Sequence, residues 1–422
     1  MSEVKKQTWI LAVLLYLMMI VVMWKWGHQG DMMFWKDWSM YIYSNGLVNA
    51  YDNPGCNYLP AYLYVLWLHT KIQGNLTDIQ DNLYTLKYFT LLFDFAGAWL
   101  AVHWVKDDAK KLFYYLFLLL NVSFIYNTVL WGQVDAIFAF FGFLSVLLAI
   151  EKRMAFSALS LVIALNFKMQ AIVFIPVTGL LLLPQIMAKS GFRKLMTAIF
   201  VAFIFQFALL LPFLMSGKLP QIWNVIAGAV DYYPYPTVGA FNMWSLLLPD
   251  VSIDGMFEIN DSSVFGIASY KTIGRLMFLV MVTLALLPLA KEMWDLWLKK
   301  KQIYPVEKIM LVTALICLNF YFFNTQMHER YVHPVMLPLA AYAFITGRYI
   351  PFVLVSVAYF LNMERICWYL HLHQETYLNS VIFKPRPIAG IYLIAILMMY
   401  YDLFRKKSEY FLQQNTGGSG GH

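Results

Sequence analysis

The sequence predicts an all-α integral membrane protein with about 11–12 transmembrane helices and interfacial helices in long outer loops. Three observations lead there. Of the 422 residues, 61% are hydrophobic and only 13% charged, against about 25% charged in a typical soluble domain. The mean hydropathy of +0.60 is gathered into long apolar blocks, each near the roughly 20 residues that a helix needs to cross a hydrocarbon core of about 30 Å. The basic residues between the blocks favour alternate loops, as the cytoplasmic loops of a polytopic protein do. The charge deficit excludes a soluble globular chain, and the apolar content excludes a disordered one.

The predicted spans run 9–26, 84–104, 112–130, 136–150, 154–166, 171–187, 195–215, 272–290, 306–323, 335–347, 349–362 and 388–403. The first follows Lys5 and Lys6, continues through Trp9–Trp24, and has no small-residue cleavage site, so it is expected to stay as a span. The short segments 136–150 and 154–166 suit a half-buried or tilted hairpin. With the N-terminus inside, the inner loops collect Lys5/Lys6, Lys106/Lys110/Lys111, Lys152/Arg153, Lys189/Arg193/Lys194, Lys291 with Lys299–Lys301 and Lys308, Arg348, and Arg405–Lys407. That is most of the 31 basic residues, in the shorter loops. The net charge of +7 is therefore an orienting bias rather than a nucleic-acid surface.

One polytopic domain is expected over 1–412, with 413–422 a tail ending in a linker-like Gly417-Gly418-Ser419-Gly420-Gly421-His422. Its outer side holds a first long loop (27–83) with two or three interfacial helices, a second (216–271), a third (363–387), and tight turns at 131–135, 166–170 and 324–334. Every unusual polar motif falls on that side. Cys56, Cys317 and Cys367 lack metal spacing and read as ordinary apolar or loop residues. No P-loop, G-x-G-x-x-G, G-x-S-x-G or H-E-x-x-H motif occurs. No internal repeat is visible, which weakens the case for an inverted-repeat transporter.

Five motifs need an explanation. In Gly30-Asp31-Met32, Asp31 shares a helical face with Trp35 and Trp38, while Asp37 points elsewhere. The plain reading is an N-cap on an interfacial helix whose aromatics rest on headgroups. Trp131-Gly132-Gln133-Val134-Asp135 joins two apolar spans, and a carboxylate at membrane depth marks a protein-lined cavity unless it is interfacial. In Asn166-Phe167-Lys168-Met169-Gln170, Lys168 is a snorkelling lysine or a phosphate ligand at a helix start. Gln326-Met327-His328-Glu329-Arg330-Tyr331-Val332-His333-Pro334 packs titratable groups against the bilayer. A solvated turn is the plain reading, but two histidines, a tyrosine and a proline fit it poorly. His328 and His333 have poor tetrahedral metal spacing, and His371 and His373 read as surface residues. Tyr232 to Leu246 offers stacking faces and the Asn242 amide, which suits carbohydrate or an aromatic belt equally.

In this order the motifs resemble the polytopic GT-C glycosyltransferases, in particular the bacterial group akin to the second mannosyltransferase of GPI-anchor synthesis. The residues that carry the resemblance are Gly30-Asp31-Met32, Tyr58–Pro60, Trp131–Asp135, Lys168-Met169-Gln170, Ala240-Phe241-Asn242-Met243-Trp244 and His328-Glu329-Arg330-Tyr331. His328-Glu329-Arg330 is also similar to the His-Glu-Lys signature of dolichol-linked glucosyltransferases. One departure is Met169, where relatives have proline.

The resemblance implies an inverting transfer of one sugar from a polyprenyl-phosphate-sugar donor to a glycan, lipid-linked or protein acceptor at the external face. Asp31 matches the family's acidic base. A positioned carboxylate suits that task, and the leaving lipid phosphate needs cations or donors placed beforehand. His328 and Arg330 are the first candidates, then Lys168 with Gln170. Asp135, Gln133, Glu329, Asn242, Trp244 and Tyr58 are candidates for positioning acceptor or sugar. Asp135 is also the rival base, and Glu329 is expected to orient His328 or Arg330. A monophosphate leaving group carries less charge than a nucleoside diphosphate, so protein cations are expected to suffice without metal, and no cofactor is expected. The expected location is a bacterial inner membrane with the site facing the periplasm. The alternatives are a transporter or flippase for a lipid-linked sugar, which needs the phosphate pocket but no base, and a non-enzymatic scaffold.

Overall fold

A computed structural model describes residues 3–23, 25–229, 231–248, 258–299, 304–372 and 381–405. Trp24, His373, parts of the second and third outer loops, and the tail from 406 lie outside the described residues. The architecture is all-helical apart from one two-stranded ribbon, β1 (Val264–Phe265) paired antiparallel with β2 (Ala268–Ser269).

Every predicted span coincides with helix. In chain order these are α1 (Glu3–Val22), α5 (Leu86–Ala101), α6 (Asp108–Leu119) with α7 (Val122–Tyr126), α8 (Asp135–Ile150), α9 (Met154–Phe167), α10 (Ile175–Ile186), α11 (Gly191–Met215), α14 (Tyr270–Lys299), α15 (Val306–Phe323), α16 (His333–Thr346), α17 (Ile350–Cys367) and α18 (Pro385–Phe404). Six helices are long and apolar enough to cross a membrane, and a seventh follows if the pair Asp108–Leu119 and Val122–Trp131, bent by 50°, is one span. Asn121 breaks that pair: its side-chain oxygen accepts from Ser123 N and Phe124 N, capping α7. The helices α1, α8 and α9 are apolar but shorter.

The first outer loop folds as three α-helices, α2 (Gln29–Asn45), α3 (Pro60–Gln73) and α4 (Leu76–Asp81). Pro60 opens α3, where its missing N–H costs nothing, and Gly74 closes it in the left-handed conformation. The second outer loop contributes α12 (Leu219–Gly228) and α13 (Met243–Leu247). The segments 136–150 and 154–166 form an antiparallel hairpin, but α8 is mostly buried rather than half-buried.

The core centres on α15 and α16, where nearly every side chain is buried. A second cluster under the first outer loop unites Trp35, Trp38, Tyr62, Leu63 and Leu66 with Val134 and Ile137 of α8. The periphery differs: in the apolar 18-residue stretch of α11 only 11% of the residues are buried, and in that of α14 only 22%. Their outward faces carry exposed Phe200, Phe203, Phe207, Leu279 and Leu287. So much outward apolar surface is the mark of a helix bathed in lipid. The chain is an integral membrane protein.

Candidate functional site

Four connecting segments at one end of the bundle bring the motifs together. The helix α2 starts with His28 in the cap position, and Asp31 is its third residue, in the first turn. The N-cap reading of Asp31 is thus corrected. Its carboxylate sits over the positive end of the helix dipole. Trp35 and Trp38 do not lie on headgroups either. They are buried against Tyr58 and Tyr62, with ring centres 4.8–5.4 Å apart. The exposed Asp37 points outward, as the spacing requires.

The turn after α7 closes as a π-helical turn, Asn127–Trp131, followed by Gly132 at φ 89°. Only glycine takes that conformation without strain. A Cβ there would also meet Met32 Sδ at 2.9 Å and Lys87 Cε at 3.2 Å. This close approach lets Trp35 Nε1 donate to Gly132 O at 3.3 Å and His28 N donate to Trp131 O at 2.8 Å. Lys87, buried on α5, donates to Trp26 O and Val129 O and ties the same two segments. Lys168 lies in an extended link between α9 and the 3-10 turn Met169–Phe174. The segment from Val238 lies along His328, with Val238 N donating to Met327 O at 2.9 Å.

The polar side chains form one connected network. Asp31 Oδ2 accepts from Trp131 Nε1 at 2.6 Å and lies 3.3 Å from His28 Nδ1. The guanidinium of Arg330 sits 5.4 Å from the Trp131 ring centre and 5.5 Å from that of Tyr331, within cation–π range. Its Nη1 donates to Glu329 Oε1 at 3.0 Å, and its Nε lies 3.9 Å from Asp135 Oδ2. Asp135 pairs with Lys168 Nζ and accepts from Asn127 Nδ2 at 3.1 Å. Lys168 also donates to Gln133 Oε1 at 3.4 Å. Two buried donors in this network, Arg330 Nε and Gln133 Nε2, make no hydrogen bond. Leaving a buried donor unmatched costs about 1–3 kcal/mol, so both suit an incoming oxygen.

The network has a rim and a floor. The side chains of His28 and Asp31 are 38% and 16% exposed, whereas Asp135 is 1% exposed. Asp31 faces the entrance, and Asp135 is locked beneath it. Burial pushes the Asp31 carboxyl up. The Arg330 charge and the contacts from His28, Trp131 and the Gln133 side chain outweigh it and hold the group well below the usual carboxylate range. Burial, aided by Arg330, drops His328 well below the ordinary histidine range. His328 is therefore neutral near pH 7 and, of the cations or donors a leaving phosphate needs, offers a hydrogen bond. The cations of the cluster are Arg330 and Lys168.

Lys168 does not snorkel; it is 7% exposed and paired. Asp135 is enclosed by protein rather than solvated. Glu329 holds Arg330 rather than His328, whose Nδ1 is 4.0 Å away. Gln170 stands half-buried beside the Tyr331 hydroxyl. Tyr58 lies close enough to Asp135 and Asp31 for both carboxylates, after burial, to raise its phenol well above its usual range. Asn242 and Trp244 are corrections. Asn242 Oδ1 caps α13 and its Nδ2 donates to Tyr321 O and Asn324 O, so its amide is fully engaged. Trp244 is buried against Tyr270 and Phe265. Neither is available to a sugar.

His28 and Asn127 belong to the network and were not singled out. His28 stands three residues before Asp31, the i,i+3 spacing of one helix face, and that signal was readable. His333 turns away from His328, stacks on Phe124, and lies 3.8 Å from the buried Asp94. Cys56, Cys317 and Cys367 are free thiols. Among the described residues no group of three or more His, Cys, Asp or Glu has metal-binding geometry. Searches of family models and of curated proteins find no match to the chain.

Proposed function

We propose that this chain is an inverting membrane glycosyltransferase of the GT-C type, with about twelve crossings. It moves one sugar from a polyprenyl-phosphate-sugar to an acceptor hydroxyl at the external face of a bacterial inner membrane. The observation that carries the reading is the pairing of one accessible carboxylate, Asp31, with unused buried donors on Arg330 and Gln133 in the same network. A base at the rim and an anion site behind it are what the reaction needs.

The acceptor oxygen attacks the anomeric carbon and forms the new glycosidic C–O bond. The bond from that carbon to the phosphate oxygen breaks on the opposite face, and the lipid phosphate leaves with the electron pair. The acceptor's proton passes to the Asp31 carboxylate. Charge growing on the phosphate is met by Arg330 and Lys168, with His328, Gln133 and Gln170 as neutral donors. Preplaced donors of this kind act without reorganisation at the moment of reaction. Glu329 orients the guanidinium. Asp135 anchors Lys168 and is too deeply engaged to serve as the base.

Purified protein is given radiolabelled polyprenyl-phosphate sugars and candidate acceptors. The expected result is a new glycosidic product, lowered about 10²–10⁴-fold in Asp31→Asn. That variant keeps an oxygen for the Trp131 N–H. Near wild-type turnover in a folded Asp31→Asn protein refutes the base assignment. Labelled donor that crosses the bilayer while no glycosidic bond forms makes the chain a flippase instead.

A further inference from the structure

The end of the bundle away from Asp31 carries a cavity of about 460 Å³, lined by Lys152, Pro184, Gln185, Lys194, Trp297 and Tyr304 among others. The helix α8 leaves the site at Asp135 and ends 16 residues later, beside Lys152. At 1.5 Å per residue that puts the cavity about 24 Å from the site, across the apolar slab. It is a separate feature from the network around Arg330.

Its lining has three layers. At the mouth are two exposed lysines. Glu151 nearby contacts His103 and Arg153, and Glu292 pairs with Lys308. Among the described residues no carboxylate pairs with Lys152 or Lys194, so the mouth carries uncompensated positive charge. Deeper in, Gln185 is 94% buried: its relative exposure is 6%. Its Nε2 donates to Ala149 O at 2.9 Å, while its Oε1 accepts from nothing. The wall is apolar and aromatic. Trp297 packs on Trp294 at 5.0 Å, and Lys152 Nζ stands 5.9 Å from the Tyr304 ring centre. A tryptophan pair beside lysines at the end of apolar helices marks headgroup depth.

We infer that this cavity binds the headgroup of an anionic glycerophospholipid from the adjoining leaflet, with its phosphate on Lys152 and Lys194. A headgroup hydroxyl donates to Gln185 Oε1, and the first acyl carbons lie against Trp297 and Pro184. A basic pocket between helices on the cytoplasmic side suits such a lipid, and the free acceptor selects a hydroxylated headgroup over a bare phosphate. The inference does not depend on the transfer chemistry.

The test is native mass spectrometry of the full-length protein from mixed phosphatidylcholine and phosphatidylglycerol. Wild type is expected to retain phosphatidylglycerol selectively. Lys152→Gln with Lys194→Gln should retain it about thirtyfold less, in line with two lost lysine–phosphate contacts. Gln185→Leu should erase the preference for phosphatidylglycerol over phosphatidic acid. Unchanged thermal unfolding in pure phosphatidylcholine shows that the variants fold, and Lys194→Gln alone, on an exposed site, serves if the double variant does not. Equal retention of the zwitterionic and anionic lipids overturns the inference, as does full retention by the lysine variants. Millimolar inorganic phosphate or glycerol phosphate should leave the lipid in place; displacement by either makes a soluble phosphate the ligand and overturns the lipid assignment.

Discussion

For the proposed transfer, Asp31 presents a tension that a bound lipid phosphate would resolve. Arg330 holds it ionised well below the usual carboxylate range, and so depressed a carboxylate accepts a proton weakly. A phosphate seated on Arg330 takes up much of the guanidinium's charge. The carboxylate then regains proton affinity just when the acceptor hydroxyl must be deprotonated. The sign is checkable. With Arg330 present, kcat/KM for the donor should show no acid limb in the mildly acidic range, because free Asp31 stays ionised there. In Arg330→Gln the lowering charge is gone and burial, which raises the group, dominates. The residual activity should then fall with an acid limb at higher pH. Superimposable normalised profiles would show that Arg330 does not govern Asp31. A second prediction concerns the floor. Lys168→Met leaves Asp135 buried without its cation, a loss of about 3–5 kcal/mol for a broken buried pair. Adding Asp135→Leu removes the stranded charge, so the double variant should recover much of the lost thermal stability in detergent. Additive losses would mean that the two side chains do not act as a pair.

The elements divide by how their information is written. Segments such as 306–323 carry long apolar runs, and period and length alone locate them, so α15 matches its predicted span. Asp31, Trp131, Lys168 and Arg330 were also legible, because polar residues that interrupt apolar runs are costly and stand out. What the pattern could not carry was partner choice. Nothing local tells Asn242 that it caps α13 against two carbonyls of the α15 end instead of facing a sugar. Nor does the composition near His328 reveal that burial beside Arg330 leaves it neutral. Both depend on contacts between segments about 80 residues apart or on depth in the fold. The segment around Gly239 illustrates such a contact. At φ 82° it runs against the His328–Arg330 loop, and a Cβ there would come 2.6 Å from Glu329 Oε2. Gly239→Ala should cost about 1–2 kcal/mol for the left-handed backbone alone, and should push Glu329 off Arg330. Its expected signature is a lower unfolding temperature together with a raised donor KM. A lower temperature with an unchanged donor KM would separate this segment from the phosphate site.

At the scale of the whole molecule, the two ends have different chemistry. The Asp31 end carries the folded loops, including the β1–β2 ribbon, which continues directly into α14. Asp231 there accepts from Gln326 Nε2 at 2.9 Å and pairs with Lys271, joining the second outer loop to the loop of His328. The opposite end carries short turns rich in basic residues: Lys106, Lys110 and Lys111 around the start of α6, Lys152 and Arg153 before α9, and Lys189, Arg193 and Lys194 around the start of α11. Short basic loops stay cytoplasmic, so the Asp31 end should face outward, where a transferase acting on external glycans must have its base. Two exposed positions test this in a Cys367→Ser background that removes the half-buried thiol: Ile267 in the ribbon turn and Lys189 between α10 and α11. In intact cells a membrane-impermeant maleimide should label Ile267→Cys and leave Lys189→Cys unlabelled until the membrane is opened. The reverse pattern would put Asp31 and Arg330 in the cytoplasm, where an externally oriented lipid-linked sugar could not reach them, and the proposed reaction would lose its substrate side.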